Sequence, residues 1–235
     1  MTAIPVITID GPGGVGKGTL SRLLAVRLGW HLLDSGAIYR ALGLAADRAG
    51  LFAENGELRD PGALTELARS LPLRFAEQGG ETRAFLAEQD VTALLRSAEA
   101  GRFASLVAVV PPVRSALLQR QRDFRQAPGL VADGRDMGTV VFPDAPLKIF
   151  LTASVEERSK RRLKQLLEQG DSVSLSRIQA EIEERDRRDR ERSVAPLQPA
   201  PDARLLDNSG QDIEETFRVL EGWVQDTSGE FFCRH

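Results

Sequence analysis

Short apolar runs alternate with longer amphipathic segments along most of this chain. Residues 4–10 are nearly continuous in Ile and Val, the pattern of a strand that is buried on both faces. Residues 17–28 then place Leu20, Leu24 and Leu28 at helical spacing. Repetition of this strand-then-helix order predicts an α/β fold with a parallel sheet covered by helices on both faces. Its five predicted strands are residues 4–10, 30–34, 130–133, 147–151 and 203–207.

Two segments interrupt this alternation. Residues 71–92 predict two or three short antiparallel strands around a turn at residues 77–80. Two charged helices are predicted near residues 155–168 and 174–192. The last helix is predicted at 212–225, and the tail from Ser228 is expected to fray. We therefore predict a single domain over residues 1–235. Its parts are a core of about 1–34, 112–152 and 194–227, an insertion of about 35–111, and a short helical lid with charged helices at about 153–193.

Composition is that of an ordinary globular protein. Apolar residues make up 42 % of the chain and charged residues 28 %, and the net charge of −3 gives no reason to expect nucleic acid or an anionic membrane as a partner. The single cysteine, Cys233, excludes an internal disulfide and a cysteine-based metal site. No apolar run reaches membrane-spanning length, and residues 1–10 predict a strand rather than a signal peptide. We therefore expect a soluble, cytoplasmic protein.

The segment between the first strand and the first helix has the spacing of a phosphate-binding loop. Its residues satisfy G-x-x-x-x-G-K in the strand–loop–helix context that the motif requires. They are Gly11, Pro12, Gly13, Gly14, Val15, Gly16 and Lys17. Glycines let successive backbone N–H groups surround a phosphate, and Lys17 can reach the β- and γ-phosphates. Because Gly18 follows the lysine, Thr19 is predicted to supply the hydroxyl on the Mg²⁺ side. The loop alone does not identify the acceptor of the phosphoryl group.

Carboxylates stand at the ends of four predicted strands: Asp10, Asp34, Asp133 and Asp207. Ligands of parallel sheets bind beyond the carboxyl ends of the strands, so this edge is predicted to be the functional one. Asp133 ends an apolar run, the pattern that orders Mg²⁺ through water in P-loop enzymes. The alternative is an aspartate that caps its own loop.

The predicted helix at 174–192 carries an apolar stripe that becomes charged. Ile178 and Ile182 mark its inward face, and Arg185, Asp189 and Arg192 continue the same stripe. Such a change predicts a helix that leaves the core and enters a polar cleft. The alternative is a solvated helix end with i,i+4 ion pairs such as Arg185–Asp189.

Basic residues also follow the fourth predicted strand. Arg158, Arg161 and Arg162 lie on the helix that begins near residue 155. Its position resembles that of the small lid that P-loop kinases close over ATP, which would exclude water. The alternative is a set of surface arginines paired with Glu156 and Glu157.

Several segments together resemble bacterial cytidylate kinases of the nucleoside monophosphate kinase family. They are Lys17-Gly18-Thr19, residues 34–40 (DSGAIYR), residues 132–139 (ADGRDMGT), Glu184-Arg185-Asp186 and residues 193–197 (SVAPL). The resemblance implies a P-loop kinase fold and a role in pyrimidine nucleotide metabolism. The implied reaction is direct in-line transfer of the γ-phosphoryl group from ATP to CMP or dCMP with Mg²⁺. A monomer is expected from the same resemblance.

The resemblance also implies roles for individual residues. ATP is expected to contact residues 11–19 and Arg158, with Mg²⁺ held by Thr19 and, through water, by Asp133. Catalytic cations match Lys17, Arg135 and Arg192. Residues that hold the acceptor's α-phosphate match Ser35, Arg40, Arg135 and Arg192. Residues that read cytosine match Ser105, Arg114 and Asp136. The pair at the sugar matches Arg185 and Asp189.

Other functions compete with this interpretation. The nearest alternative is a P-loop kinase for another small acceptor, such as UMP, shikimate or dephospho-coenzyme A. A P-loop switch or ATPase is a second alternative, but the chain has no Asn-Lys-x-Asp guanine reader, and Gly134 rather than Glu follows Asp133. A nucleic-acid binder is a third, which the interleaved acidic residues and the net charge of −3 disfavour.

Overall fold

The structure, a computed structural model, describes residues 4–78, 81–168, 170 and 173–231. Gly79 and Gly80 of the predicted hairpin turn, and Cys233, lie outside the described residues. The strands are β1 (Val6–Asp10), β2 (His31–Asp34), β3 (Leu73–Gln78), β4 (Glu81–Leu86), β5 (Gln89–Asp90), β6 (Leu130–Gly134), β7 (Leu147–Thr152) and β8 (Arg204–Asp207). The helices are α1 (Lys17–Leu28), α2 (Ser35–Arg48), α3 (Pro61–Arg69), α4 (Thr92–Leu95), α5 (Ala98–Val107), α6 (Pro111–Arg122), α7 (Val155–Glu168), α8 (Leu175–Glu191) and α9 (Ile213–Phe231), with a π-helical turn at Met137–Val141.

The chain forms two compact units. The first holds the residues up to Asp34 and those from Arg122 onward, and the second is Ser35–Gln121. Five parallel strands form the sheet of the first unit, in the order β2-β6-β1-β7-β8. The predicted parallel sheet is therefore confirmed, and the strand bounds differ from the predicted ones by one or two residues at an end.

The central strands of this sheet are covered on both faces. Ile7 of β1 lies between Val131 of β6 and Leu147 of β7, and all five residues of β1 and of β6 are buried. Burial on both faces explains why these strands are nearly continuous apolar runs instead of alternating ones. The core also takes side chains from α1 and α9, among them Leu20, Leu24, Leu220 and Val224.

The second unit is built on two closely packed helices, α2 and α5. A β-carbon at Gly43 of α2 would lie 2.6 Å from the β-carbon of Phe103 of α5, so glycine is what lets the two helices approach. The Phe103 ring stacks on Phe52 with 4.9 Å between the ring centroids. The antiparallel sheet β3-β4-β5 belongs to the same unit and confirms the short antiparallel strands predicted for residues 71–92.

Helix α6 groups with the second unit, although the sequence boundaries assign residues from 112 onward to the core. The reason is a set of polar and ring contacts made by its arginines. Arg120 donates to the backbone carbonyls of Leu71 and Leu73, and the Arg114 guanidinium lies 5.5 Å from the centre of the Tyr39 ring. No single helix of the described residues is long and apolar enough to span a membrane; α5 and α6 pass that test of length and composition only as a pair bent by 108°.

Helix α9 is longer than predicted. Its apolar face buries Leu220 and Val224, and the Thr227 hydroxyl donates to the carbonyl of Trp223 one turn earlier. The helix continues to Phe231, so the expectation of irregular chain from Ser228 is wrong as far as Phe231.

Candidate active site

The predicted phosphate loop connects β1 to α1 at the carboxyl edge of the sheet. A β-carbon at Gly11 would lie 2.0 Å from the carbonyl oxygen of Leu151 in β7, so only glycine allows the loop to leave the sheet along this path. Gly16, at the N-cap of α1, has a φ of 89°, a left-handed conformation that glycine adopts without strain. Helix α1 begins at Lys17, so its unpaired N–H groups and partial positive charge are at the loop.

Carbonyl groups of the loop are bound by side chains. The Lys17 ammonium donates to the Pro12 carbonyl at 2.7 Å, and the Asn208 amide donates to the Val15 carbonyl at 2.9 Å. Asn208 is fully buried, follows β8, and accepts through its own side-chain oxygen from Arg161. Sequence reasoning missed Asn208, and the available signal was its position directly after a predicted strand end. These contacts fix the loop through its carbonyl groups and do not use its N–H groups, which can bind a ligand.

Arg158 makes a third contact of this kind. Its guanidinium donates from Nη1 to the Gly13 carbonyl and from Nε to the Ala153 carbonyl, both at 3.1 Å. It also forms a bidentate ion pair with Asp186 of α8. Arg158 is buried and does not pair with an acid of its own helix, so the alternative of a surface arginine is wrong for this residue. Its contact with ATP stays a prediction.

Three cations crowd the open side of the loop. A β-carbon at Gly13 would lie 3.6 Å from Nη2 of Arg135 and 3.6 Å from Nη1 of Arg185. Burial first, and then the positive charges of Arg135 and Arg185, lower the pKa of Lys17 from 10.5 to about 7, against the opposing effect of Asp133. Both burial and the nearby arginines disfavour the charged form of Lys17, and an anion bound at the loop would offset both effects. The arrangement therefore favours a polyanion at the loop.

The charged stripe of α8 faces inward. Ile178, Asp189 and Arg192 are buried, and the Asp189 carboxylate pairs with Arg135 at 2.9 Å. Burial acts to raise the pKa of Asp189, but the charges of Arg135, Arg185 and Arg192 hold it below the ordinary value. The alternative of a solvated helix end is therefore wrong. The stripe instead brings a carboxylate and arginines together beside the phosphate loop, where their contacts with CMP stay predictions.

The strand-end carboxylates divide into different environments. Asp10 accepts hydrogen bonds from the N–H groups of Met137 and Gly138, and burial raises its pKa to about 7. Asp207 is exposed and accepts from the N–H of Ser209, closing a turn. Asp10 therefore holds the π-helical turn in place, and Asp207 caps its own loop.

Asp133 and Asp136 lie at the buried end of β6 and just beyond it. Oδ2 of Asp133 would be 3.6 Å from a β-carbon at Gly18, so this carboxylate lies beside the first turn of α1. Asp136 is buried, its backbone carbonyl accepts from Val140 and Val141, and its charge contributes to the raised pKa of Asp10. Both acids thus lie at the predicted functional edge of the sheet. Their roles toward Mg²⁺ and cytosine stay predictions.

In the second unit, the residues predicted to bind CMP are buried, except Arg40, which is partly buried. The Ser35 hydroxyl donates to the side-chain oxygen of Gln121 at 2.7 Å, and Arg40 donates from Nη1 to the Leu95 carbonyl at 2.9 Å. Arg114 is buried and donates to the Ala108 carbonyl at 3.3 Å. The Ser105 hydroxyl is buried without a hydrogen-bond partner among the described residues.

A buried hydroxyl without a hydrogen-bond partner lowers the stability of the folded protein unless a ligand supplies that partner. The finding supports a ligand contact at Ser105, which lies on α5 in an otherwise apolar part of that helix. The roles of Ser35, Arg40, Ser105 and Arg114 toward CMP stay predictions.

A phosphate loop with its lysine, set among arginines at the carboxyl edge of a parallel sheet, defines a P-loop nucleotide-binding enzyme. The chain belongs to the cytidylate kinase family, whose family model, described as "Cytidylate kinase", matches residues 7–225. It is 56 % identical over 226 residues to the cytidylate kinase of Klebsiella pneumoniae (strain 342), and 57 % identical over 228 residues to that of Salmonella arizonae. Each comparison covers 96 % of this chain and 96 % of the relative.

Among solved structures, an uncharacterised protein from Eubacterium ventriosum matches 95 % of this chain and 99 % of its own, with a TM-score of 0.51. The two sequences are 11 % identical, so this likeness shows a shared fold alone. The family therefore follows from the sequence relatives, and the architecture from the parallel sheet described above.

Proposed function

We propose that this protein transfers the γ-phosphoryl group of ATP to CMP or dCMP, releasing ADP and CDP or dCDP. The observation that carries the proposal is the cluster of Lys17, Arg135 and Arg185 at the phosphate loop, where the guanidinium groups of Arg135 and Arg185 each lie 3.6 Å from the position of a β-carbon at Gly13. Membership of the cytidylate kinase family supports CMP as the acceptor.

The chemistry of the transfer fits these groups. An oxygen of the acceptor phosphate forms a bond to the γ-phosphorus of ATP while the bond to the β–γ bridging oxygen breaks, and ADP leaves with that electron pair. The attacking oxygen is already deprotonated at neutral pH, so no general base is required. Charge spreads over the transferring group in a loose transition state, and fixed cations stabilise it there. Lys17, Arg135 and Arg192 are proposed to supply that stabilisation.

A divalent cation fits the same edge of the sheet. The Asp133 carboxylate lies beside Gly18 at the start of α1, and carboxylate and hydroxyl oxygens are the ligands that Mg²⁺ prefers. Asp133, through water, and Thr19 would hold the ion, which would neutralise phosphate charge when bound. Arg158 and residues 11–19 are proposed to complete the ATP site, and action as a cytoplasmic monomer on free nucleotides is part of the same proposal.

On the acceptor side, Ser35, Arg40, Arg135 and Arg192 are proposed to hold the CMP phosphate. Arg185 and Asp189 are proposed to contact its sugar. Cytosine offers an amino donor at its 4-position and acceptors at N3 and O2, whereas uracil offers an acceptor at the 4-position and a donor at N3. Asp136 would accept a hydrogen bond from the cytosine amino group, and Arg114 and Ser105 would bind the acceptor atoms N3 and O2.

The test is kcat/KM across CMP, dCMP, UMP, AMP and GMP, followed as ADP release. A mispaired buried polar group costs about 1–3 kcal/mol, so we expect CMP to be preferred over UMP by at least about 10²-fold. Asp136→Asn should narrow that preference, because an amide can turn its NH₂ toward the uracil carbonyl at nearly unchanged volume. Equal use of CMP and UMP by the unaltered protein would contradict the proposal. An unchanged ratio in the Asn variant would remove Asp136 alone as the reader.

A further inference from the structure

A buried ion pair lies behind the phosphate loop, outside its motif. Nη1 and Nη2 of Arg158 donate to the two carboxylate oxygens of Asp186 at 3.1 and 2.6 Å. Arg158 on α7 is 3 % exposed and Asp186 on α8 is 4 % exposed. Desolvating two charges is expensive, and such a pair is often no more stabilising than well-packed apolar side chains. Stability alone is therefore a weak reason for this pair.

Arg158 reaches the phosphate loop in two ways. Its Nη1 donates to the Gly13 carbonyl at 3.1 Å, and its aliphatic stem lies 3.3–3.8 Å from where a β-carbon at Gly14 would be. The Gly13 carbonyl and the Gly14 N–H belong to one planar trans peptide, in which the two groups point in opposite directions. Fixing the carbonyl toward Arg158 therefore aims the Gly14 N–H away from Arg158.

The carboxylate of Asp186 sets the plane of the guanidinium. A bidentate arginine–carboxylate pair fixes the orientation of the guanidinium as well as its distance, which a single hydrogen bond does not. Nε of Arg158 donates to the Ala153 carbonyl at 3.1 Å. Together, Asp186 and the Ala153 carbonyl fix the guanidinium in the orientation in which its Nη1 donates to the Gly13 carbonyl.

We propose that Asp186 is a positioning residue of the ATP site, which acts through Arg158 to hold the Gly13–Gly14 peptide with its N–H directed at the bound phosphates. The proposal rests on the proposed use of ATP. It gives Asp186 a function, and it makes the main role of Arg158 the orientation of the loop.

The experiment measures ATP and CMP affinity separately by calorimetry on the full chain. Asp186→Asn keeps the side-chain volume and should weaken ATP binding about tenfold, with CMP binding changed less than about twofold. Because one buried charge then lacks its partner, the variant can also lose stability. The double variant Arg158→Met with Asp186→Leu replaces the whole pair by apolar side chains, which restores packing without restoring the contact to Gly13.

A matched control comes from the same helix. Arg177 and Glu181 form an exposed i,i+4 pair on α8, and Arg177→Met with Glu181→Leu should leave both affinities unchanged. The proposal expects the buried double variant to fold, by circular dichroism and thermal unfolding, and still to bind ATP about tenfold more weakly. A folded double variant with unaltered ATP affinity would overturn it, as would equal losses for ATP and CMP, or loss of folding in both buried-pair variants. If the unaltered protein binds ATP but does not phosphorylate CMP, the proposal that CMP is the acceptor is wrong, and the measurements of ATP affinity still test the role of Asp186.

Discussion

Raising the pH from about 6.5 to about 8.5 should weaken ATP binding, because Lys17 loses its proton within that window when no nucleotide is present. Burial first, and then the charges of Arg135 and Arg185, lower the pKa of Lys17 from 10.5 to about 7. A triphosphate at the loop would supply the missing negative charge and raise this pKa again. ATP binding above pH 7 should therefore be accompanied by proton uptake.

The magnitude follows from that pKa. If the protonated protein is the form that binds, the apparent Kd for ATP grows by a factor of about 1 + 10^(pH − 7), which is about 25-fold between the two pH values, or about 2 kcal/mol. At about pH 8 the binding of one ATP should take up about 0.9 proton. The sign for folding is opposite: between about pH 7 and 10.5 the unfolded chain holds the extra proton, so this group makes the nucleotide-free protein more stable as the pH rises.

The assay is titration calorimetry with excess Mg²⁺ in two buffers of different ionisation heat, which separates proton uptake from binding. Lys17→Arg is the control, since an arginine keeps its charge throughout this range. Any pH dependence of ATP affinity that remains in this variant comes from other groups, chiefly Asp10, whose pKa of about 7 lies in the same window. Lys17→Met should lower kcat by at least about 10²-fold, because the charge is then absent at every pH. ATP affinity that does not change from pH 6.5 to 8.5, or a pH dependence in Lys17→Arg as steep as in the unaltered protein, would refute the reasoning.

Two further predictions concern acceptor contacts. Asp189→Ala should raise the KM for CMP and leave the KM for ATP nearly unchanged. It should also lower the free energy of unfolding by about 1–3 kcal/mol, because Arg135, whose side chain is 19 % exposed, loses this ion-pair partner. Urea unfolding with steady-state kinetics tests both, and an unaltered KM for CMP would contradict the sugar contact. Ser105→Ala should lower kcat/KM for CMP about tenfold without loss of stability, since the hydroxyl has no partner among the described residues. Ser21→Ala removes another such buried hydroxyl and should leave CMP kinetics unchanged, so equal effects of the two changes would count against Ser105.

Local pattern was enough to predict the elements of this fold. The apolar runs at β1 and β6 identify buried strands because a strand covered on both faces has no room for alternation. Helix α7 was predicted with its observed bounds, since its charges and apolar residues repeat at helical spacing. The strand order was not predicted, because it depends on which crossovers the chain takes between distant strands.

The phosphate loop could be read from the sequence because its function resides in contiguous backbone. Seven consecutive residues, Gly11–Lys17, carry both the conformation and the cation, and flanking elements confirm their context. The inward direction of the α8 stripe was predicted for a similar reason, since helical spacing relates Ile178 to Asp189 along one face.

The sequence by itself therefore determined the class of fold, the phosphate loop and the family resemblance. Tertiary structure alone decided which side chains hold that loop. Asp186 meets Arg158 28 positions earlier, Asp189 meets Arg135 54 positions earlier, and Asn208 meets Val15 193 positions earlier. No local pattern encodes such partners, because the sequence around a charged helical residue is the same whether that residue faces water or a buried opposite charge. Only the packing of α8 and of the chain after β8 against the loop removes the water and makes these contacts specific.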